Sequence, residues 1–425
     1  MRCHWLPIQF IVNTIAFCLG HKRTNGPIIL GWNNFFDQGN VIRTIAPEEQ
    51  VEKCRRKCEY SEDREIAQNA SVIVFHETAA GGDLPDRRWP GQLYVMFDLE
   101  SPFRGPQFPA PNFFNLTMTY LANDQNNLMA PYGSLHKINR SNGEDLKDIW
   151  TWEEVVEKVG RKDKTALQIA SNCASHSARE AYTEELSRHI EVTGYGRCFG
   201  GRNCDRKCYD TEIDRHFFYL AFENSVCRNY ITEKFWNAFR HLTVPVVLSR
   251  GVMEGLDIPP GAFVAADDFG TVEEMAKFLV EMRNDRNKYL RFFNWTRFYR
   301  RNSDIVPAER AICRLCDLAH RRMAPGSKVI ADIDRYWRLG GNCVLGFGAQ
   351  LVLKRPIFGR PKLMAKSKND SRAMFPITFL SFSPLLLLFV LLIALFLRRF
   401  FHLPFSCAIK SPHKIFKRRS PIIFS

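Results

Sequence analysis

From residue 165 to 284, short apolar runs alternate with amphipathic ones, and this alternation constrains the fold more than any other feature of the 425-residue chain. "TALQIASNC" (165–173), "EVTGYG" (191–196), "FFYLAFEN" (217–224), "VPVVL" (244–248) and "AFVAAD" (262–267) read as strands. Between them, "AREAYTEELSRHI" (178–190), residues 231–242 and "VEEMAKFLVEMRN" (272–284) carry apolar residues at helical spacing. Strands and helices in alternation predict a doubly wound parallel sheet, because each parallel strand needs a crossover that packs on the sheet. Upstream, residues 28–36, "SVIVFH" (71–76) and "QLYVMFDLE" (92–100) read as buried strands of another parallel sheet. "DIWTWEEVVEKVGRKDK" (148–164) reads as a helix and a charged linker, which puts a domain boundary near 160. No internal repeat is evident.

The net charge of +14 suggests nucleic-acid binding until it is located. Residues 354–425 hold 14 Lys and Arg against one acid, Asp370, so nearly all of the excess belongs to a tail. An electrostatic footprint for nucleic acid should lie on the folded part, and that class is set aside. Within the tail, "FPITFLSFSPLLLLFVLLIALFL" (375–397) is an uncharged run of 23 residues, long enough to span a bilayer as a helix. Basic residues flank it on both sides, so charge does not fix its orientation. Near the N-terminus, "LPIQFIVNTIAFCLG" (6–20) resembles a weak signal peptide or an uncleaved signal anchor. Residues 346–374 read as a basic tether and 398–425 as a basic tail.

Thirteen cysteines are many for a cytosolic enzyme. The close groups Cys54/Cys58, Cys198/Cys204/Cys208 and Cys313/Cys316 read as short-range disulfides in a secretory chain. A zinc site in "CFGGRNCDRKC" would need a fourth ligand, and His216 is the first histidine downstream. Sequons at Asn69, Asn115, Asn139, Asn294 and Asn369 fit a lumenal body.

In doubly wound sheets, ligands sit beyond the C-terminal strand ends, at helix N-termini. Arg179 stands just inside the helix after one strand. Glu223 and Asn224 end another strand. "NYITEKFWNAF" (229–239) then opens a helix with Thr232 at the cap position, Tyr230 before it, and Glu233 and Lys234 in the first turn. A cation is unwelcome in that first turn, where the helix dipole is positive, so Lys234 needs a negative partner. Two cations, two carboxylates, an amide and a phenol ring suit a nucleotide sugar. On spacing alone, a solvated Glu233–Lys234 surface pair and a helix-capping Arg179 fit equally well. No GxxxxGK[ST] loop is present, and no GxGxxG follows a strand. In "AADDFGTVEEM", Asp268 or Thr271 reads as a helix cap rather than a metal ligand.

The stretch 217–251, with F-E-N-S, Y-I-T-E-K and V-P-V-V in order, resembles the signature of the α1,3-fucosyltransferases. The likeness extends over about residues 28–340: "ILGWNNFF" (29–36), "KCEYSEDREIAQNASVIVFH" (57–76), "FDLESP" (97–102), "FFNLTMTY" (113–120), "APYGSL" (130–135), "SNCASHSAREAYTEELSRHIEVTGYGRC" (171–198), "IPPGAFVAADDF" (258–269) and "CRLC" (313–316). The resemblance implies a GT-B architecture: an acceptor-side Rossmann-like domain over 28–160 and a GDP-fucose-binding one over 161–345, facing a central cleft. It implies an inverting, Golgi-membrane enzyme with a lumenal catalytic body, acting on N-acetylglucosamine-containing glycans of glycoproteins or glycolipids. Arg179 and Lys234 would hold the diphosphate. Glu223, Asn224, Tyr230 and Glu233 would surround fucose and nucleoside, and Glu100 would be the general base. No obligatory metal or cofactor is expected, and stimulation by manganese stays open. The segment after "TMTY" departs from the family pattern, with Leu121 where an arginine is common, which leaves the acceptor open. Transfer to the α1,4 position or the N-glycan core, a glycan-binding protein without turnover, and a receptor ectodomain are the alternatives.

Overall fold

The computed structural model describes residues 26–36, 38–76, 83–103, 111–122, 124–138, 149–300, 308–321 and 328–353. Two parallel sheets organise them. The first has six strands in the order β2-β1-β3-β4-β5-β6: β1 Ile28–Gly31, β2 Glu59–Ser61, β3 Val72–His76, β4 Leu93–Phe97, β5 Leu116–Thr119 and β6 Asn127–Met129. The second has five strands in the order β11-β10-β9-β7-β8: β7 Lys164–Ile169, β8 Val192–Tyr195, β9 His216–Leu220, β10 Val244–Val247 and β11 Val264–Ala265. The predicted strands are all present; β5 is not among the strands read from the sequence, and neither are β2 and β6, whose three residues each carry too little pattern.

Both faces of the first sheet are covered, which is why β3 and β4 read as unbroken apolar runs. Val72, Val74, Leu93, Val95 and Phe97 share one core with Ala311, Ile312 and Leu315. Ile73, Phe75, Tyr94 and Met96 share the other with Ile333 and Trp337. The helices Ala308–His320 and Ile333–Gly341 thus return to the first sheet after the second is complete. The expected boundaries, which gave all of 161–345 to the second domain, change accordingly. The apolar face of 308–320 needs a sheet to cover it, and only its packing shows which sheet that is. Phe347–Val352 forms a further helix, with Phe347 buried in the second lobe's core, so the folded part reaches into the stretch assigned to the tether.

The cysteines correct a second expectation. Cys54 bonds Cys313 and Cys58 bonds Cys316, so the two close pairs are cross-linked to each other and not closed within themselves. Cys204 does bond Cys208, but Cys198 bonds Cys173, and Cys227 bonds Cys343. His320 lies near Cys58 and Cys316, yet both sulfurs are committed to the disulfide. Asn115 also fails as a glycosylation site. It is 5% exposed, its Nδ2 donates to the Lys328 carbonyl and its Oδ1 accepts from the Tyr94 amide, so a glycan has no room there. Asn69 and Asn294 are exposed; Asn139 and Asn369 lie outside the described residues. No helix among the described residues is long and apolar enough to cross a membrane. The run 375–397 and the segment 1–25 also lie outside them.

Candidate active site

The functional side chains gather beyond the C-terminal ends of β4, β7 and β9, where a doubly wound sheet leaves backbone groups and helix N-termini unpaired. Arg179 opens the helix Arg179–Ser187 after β7. The preceding Ala178 has φ +51°, a left-handed conformation that turns the chain sharply into the helix. Arg179 is 3% exposed, and its guanidinium donates to the carbonyls of Phe222 at 2.7 Å and Asn172 at 3.0 Å. It is therefore anchored to the segment that carries Glu223.

Glu223 occupies the N-terminus of the helix Glu233–Arg240 from outside. Its Oε1 accepts from the Thr232 amide at 2.8 Å and the Thr232 hydroxyl at 2.7 Å. Thr232 holds the cap position as expected but makes no side-chain cap bond, because its hydroxyl serves Glu223 instead. Lys234 Nζ lies 3.2 Å from Glu223 Oε2 and 2.8 Å from Glu233 Oε1. These two carboxylates answer the cation's poor placement in a first turn: they offset both the dipole and the desolvation. With a side chain 22% exposed, Lys234 is not half of a solvated surface pair.

The electrostatics follow from that arrangement. Burial pushes the Lys234 ammonium down, but Glu223 and Glu233 outweigh it and hold its pKa above the ordinary lysine value. Arg179 is close enough to oppose them, so the two cations share one field. Burial pushes Glu223 up, only partly countered by Lys234. Burial also acts on Glu233, but the Lys234 charge and hydrogen bond prevail and lower it. Asn224 is half-buried, with its Oδ1 buried and lacking a hydrogen-bond partner among the described residues.

Across the cleft, Glu100 sits three residues past the end of β4, partly exposed. The buried carboxylate of Asp98 accepts from its amide at 2.8 Å and shapes the turn. Tyr230, only 2% exposed, donates its hydroxyl to Glu100 Oε2 at 3.3 Å and packs its ring 5.1 Å from Tyr120. Burial holds the Tyr230 phenol well above its ordinary value, with Tyr132 and Glu100 adding to it, so it is a donor at any physiological pH. Tyr132 donates to the Leu99 carbonyl at 2.7 Å and feels the charges of Glu100, Glu233 and Glu223 together. Six of the predicted residues are therefore linked: Glu223, Glu233 and Lys234 by ion pairs, Arg179 through the adjoining Phe222 carbonyl, and Glu100 through Tyr230, with Asn224 next to Glu223 in the chain. Asp98 and Tyr132 belong to the same network but were not singled out from sequence; the Tyr-Gly turn of "APYGSL" was the available signal for Tyr132.

Thr271, not Asp268, caps the helix Val272–Asn284. Asp268 pairs with Arg250, and Asp267 accepts from the Arg250 amide and the Ser249 hydroxyl.

Two family descriptions match the chain in order: "Fucosyltransferase, N-terminal" over residues 24–133 and "Glycosyltransferase family 10 (fucosyltransferase) C-term" over residues 159–336. The chain is similar to Alpha-(1,3)-fucosyltransferase fut-1 of Caenorhabditis elegans, 31% identical over 337 residues, which span 75% of this chain and 70% of that protein. It is also similar to human 4-galactosyl-N-acetylglucosaminide 3-alpha-L-fucosyltransferase 9, 32% identical over 289 residues, 66% of this chain and 74% of that one. A solved α1,3-fucosyltransferase with GDP-fucose aligns at 17% identity and a TM-score of 0.42, over 70% of this chain and 89% of that one. With the N- and C-terminal family matches falling on the two sheets in order, the chain belongs to glycosyltransferase family 10, the fucosyltransferases.

Proposed function

We propose that the protein transfers L-fucose from GDP-fucose to a hydroxyl of N-acetylglucosamine in glycoprotein or glycolipid glycans, in α1,3 linkage and with inversion. One observation carries this reading: Arg179 and Lys234, from two different helix starts, meet at the segment 222–223, while Glu100 reaches the same cleft from the other sheet through Tyr230. The two sheets then act as the halves of a GT-B fold, donor on the second and acceptor on the first.

The acceptor oxygen attacks the anomeric carbon from the face opposite the diphosphate, and the β-linked donor becomes an α-linked product. Glu100 takes the hydroxyl proton as the carbon–oxygen bond forms, because a neutral sugar hydroxyl is a poor nucleophile. GDP leaves with the bonding electron pair. It is already anionic at neutral pH and needs fixed positive charge rather than a proton, which Arg179, Lys234 and the helix N-terminus supply. In the unliganded protein Glu223 and Glu233 occupy Lys234, so the diphosphate competes with them for it. Asn224, Tyr230 and Glu233 line the sugar and nucleoside side. No metal is assigned a step.

A cavity of about 330 Å³ beside Tyr132 offers room for the acceptor sugar, with Tyr120, Ser134, Asn229, Trp236 and Asp257 in its walls. Aromatic faces with few polar groups suit a hexose ring, and the buried Trp236 Nε1 has no partner among the described residues. The uncharged run 375–397 would anchor the body in the Golgi membrane as a single span, with the disulfide-bonded part lumenal.

The test is GDP release by the purified full-length chain. Release from GDP-fucose should depend on an N-acetylglucosamine-containing acceptor, with product linkage read by NMR. Donor binding without turnover would favour a glycan-binding protein, and no affinity for GDP-fucose would favour a receptor ectodomain.

A further inference from the structure

The segment that carries Tyr230 belongs to the second sheet's connections, yet it is tied to both lobes: Asn229 bonds the Val252 and Glu254 carbonyls of the second, while other groups reach the first. Ser225 Oγ lies 2.8 Å from Ser101 Oγ, the residue after Glu100. The Arg228 amide donates to the Gly341 carbonyl at 2.7 Å. Asn229 takes φ +60°, accepts from the Ala122 amide at 3.0 Å and donates to the Glu254 carbonyl at 2.7 Å. Asparagine is among the few non-glycine residues that adopt that conformation, and here its surroundings fix it. The one covalent tie is Cys227–Cys343. Cys343 follows the helix Ile333–Gly341, whose Trp337 is buried in the first lobe's core with its ring 5.5 Å from Tyr120. Tyr120 in turn packs on Tyr230. A closed path therefore runs from the first sheet, through this helix and the disulfide, to the Tyr230 hydroxyl and back to Glu100.

We infer that the Cys227–Cys343 disulfide is a positioning element for the transfer step: it holds Tyr230 against Glu100, so that the base keeps one orientation toward the acceptor hydroxyl. This inference rests on the assignment of Glu100 as base. The Tyr230–Glu100 bond is 3.3 Å long, so a displacement of the segment by about 1 Å would break it, and misplacements of that size cost up to about a hundredfold in rate. Tyr230 and Cys227 are separated by only two residues, and the disulfide is the constraint that thermal motion cannot open.

The experiment is a double-mutant cycle on the full-length protein, read in kcat, between Cys227→Ala/Cys343→Ala and Tyr230→Phe. In the intact background, Tyr230→Phe should lower kcat about tenfold, the scale of one lost orienting bond. Removing the disulfide should lower kcat about as much, with KM for GDP-fucose within about threefold, because the diphosphate cations are anchored elsewhere. In the disulfide-free background, Tyr230→Phe should cost less than about twofold, since the bond is already lost. A disulfide that merely stabilises the fold gives multiplying penalties instead, and that result, or an unchanged kcat in Cys227→Ala/Cys343→Ala, overturns the inference. If the disulfide-free protein does not fold, Ser225→Ala replaces it in the same cycle with the same readings. Glu100→Gln run alongside separates the two levels. Retained turnover overturns the base assignment and the clamp with it, whereas lost turnover with multiplying penalties overturns the clamp alone.

Discussion

The two rims of the cleft solve opposite problems. On the rim proposed to hold the donor, charge is dense and internally compensated. Arg179 is buried against backbone carbonyls, and Lys234 is wedged between Glu223 and Glu233. On the rim proposed for the acceptor, Glu100 is partly exposed and held by a neutral phenol and a turn. Buried cations without partners would be too costly, and here each has them. A base needs the reverse, a carboxylate left basic enough to take a proton.

Substitutions on either side sharpen that contrast. The largest effect on turnover belongs to Glu100→Gln, which should lower the transfer rate by about three orders of magnitude, measured as acceptor-dependent GDP release. Lys234→Ala comes next. Donor affinity should fall by about two orders of magnitude, the worth of a charge-assisted contact to phosphate. The same change leaves Glu223 and Glu233 without their shared cation, so thermal stability should fall too, and glutamine at 223 should recover part of that stability but none of the affinity. The smallest effect on turnover belongs to a pair far from the cleft. Cys54→Ala/Cys313→Ala should leave kcat unchanged and cost only about 1 kcal/mol, because Cys58–Cys316 still closes nearly the same loop. Urea unfolding read by circular dichroism checks it, and a large loss would mean that the two cross-links are not redundant.

Much of the charged cluster was legible in the sequence because the chain delivers it in short pieces. Glu223 to Lys234 span one strand end and one helix start, and the strand pattern places both at a sheet's C-terminal edge. The partners that bridge distant segments were not legible. The sulfurs of Cys54 and Cys313 meet across 259 residues, and spacing alone suggested neighbours instead. The return of 308–341 to the first sheet is likewise a packing outcome, since its apolar residues show a buried face but not a partner. The function of Thr232 was misread for a local reason: its cap position is real, but a carboxylate nine residues earlier in the chain takes its hydroxyl.

Side-by-side calorimetric titration of GDP into the parent, Glu100→Gln and Lys234→Ala proteins bears most directly on the division of labour between the rims. The account predicts that Glu100→Gln binds GDP within about twofold of the parent, while Lys234→Ala binds about a hundredfold more weakly. Equal affinity in all three proteins, or a loss in Glu100→Gln that matches the lysine variant, would contradict it.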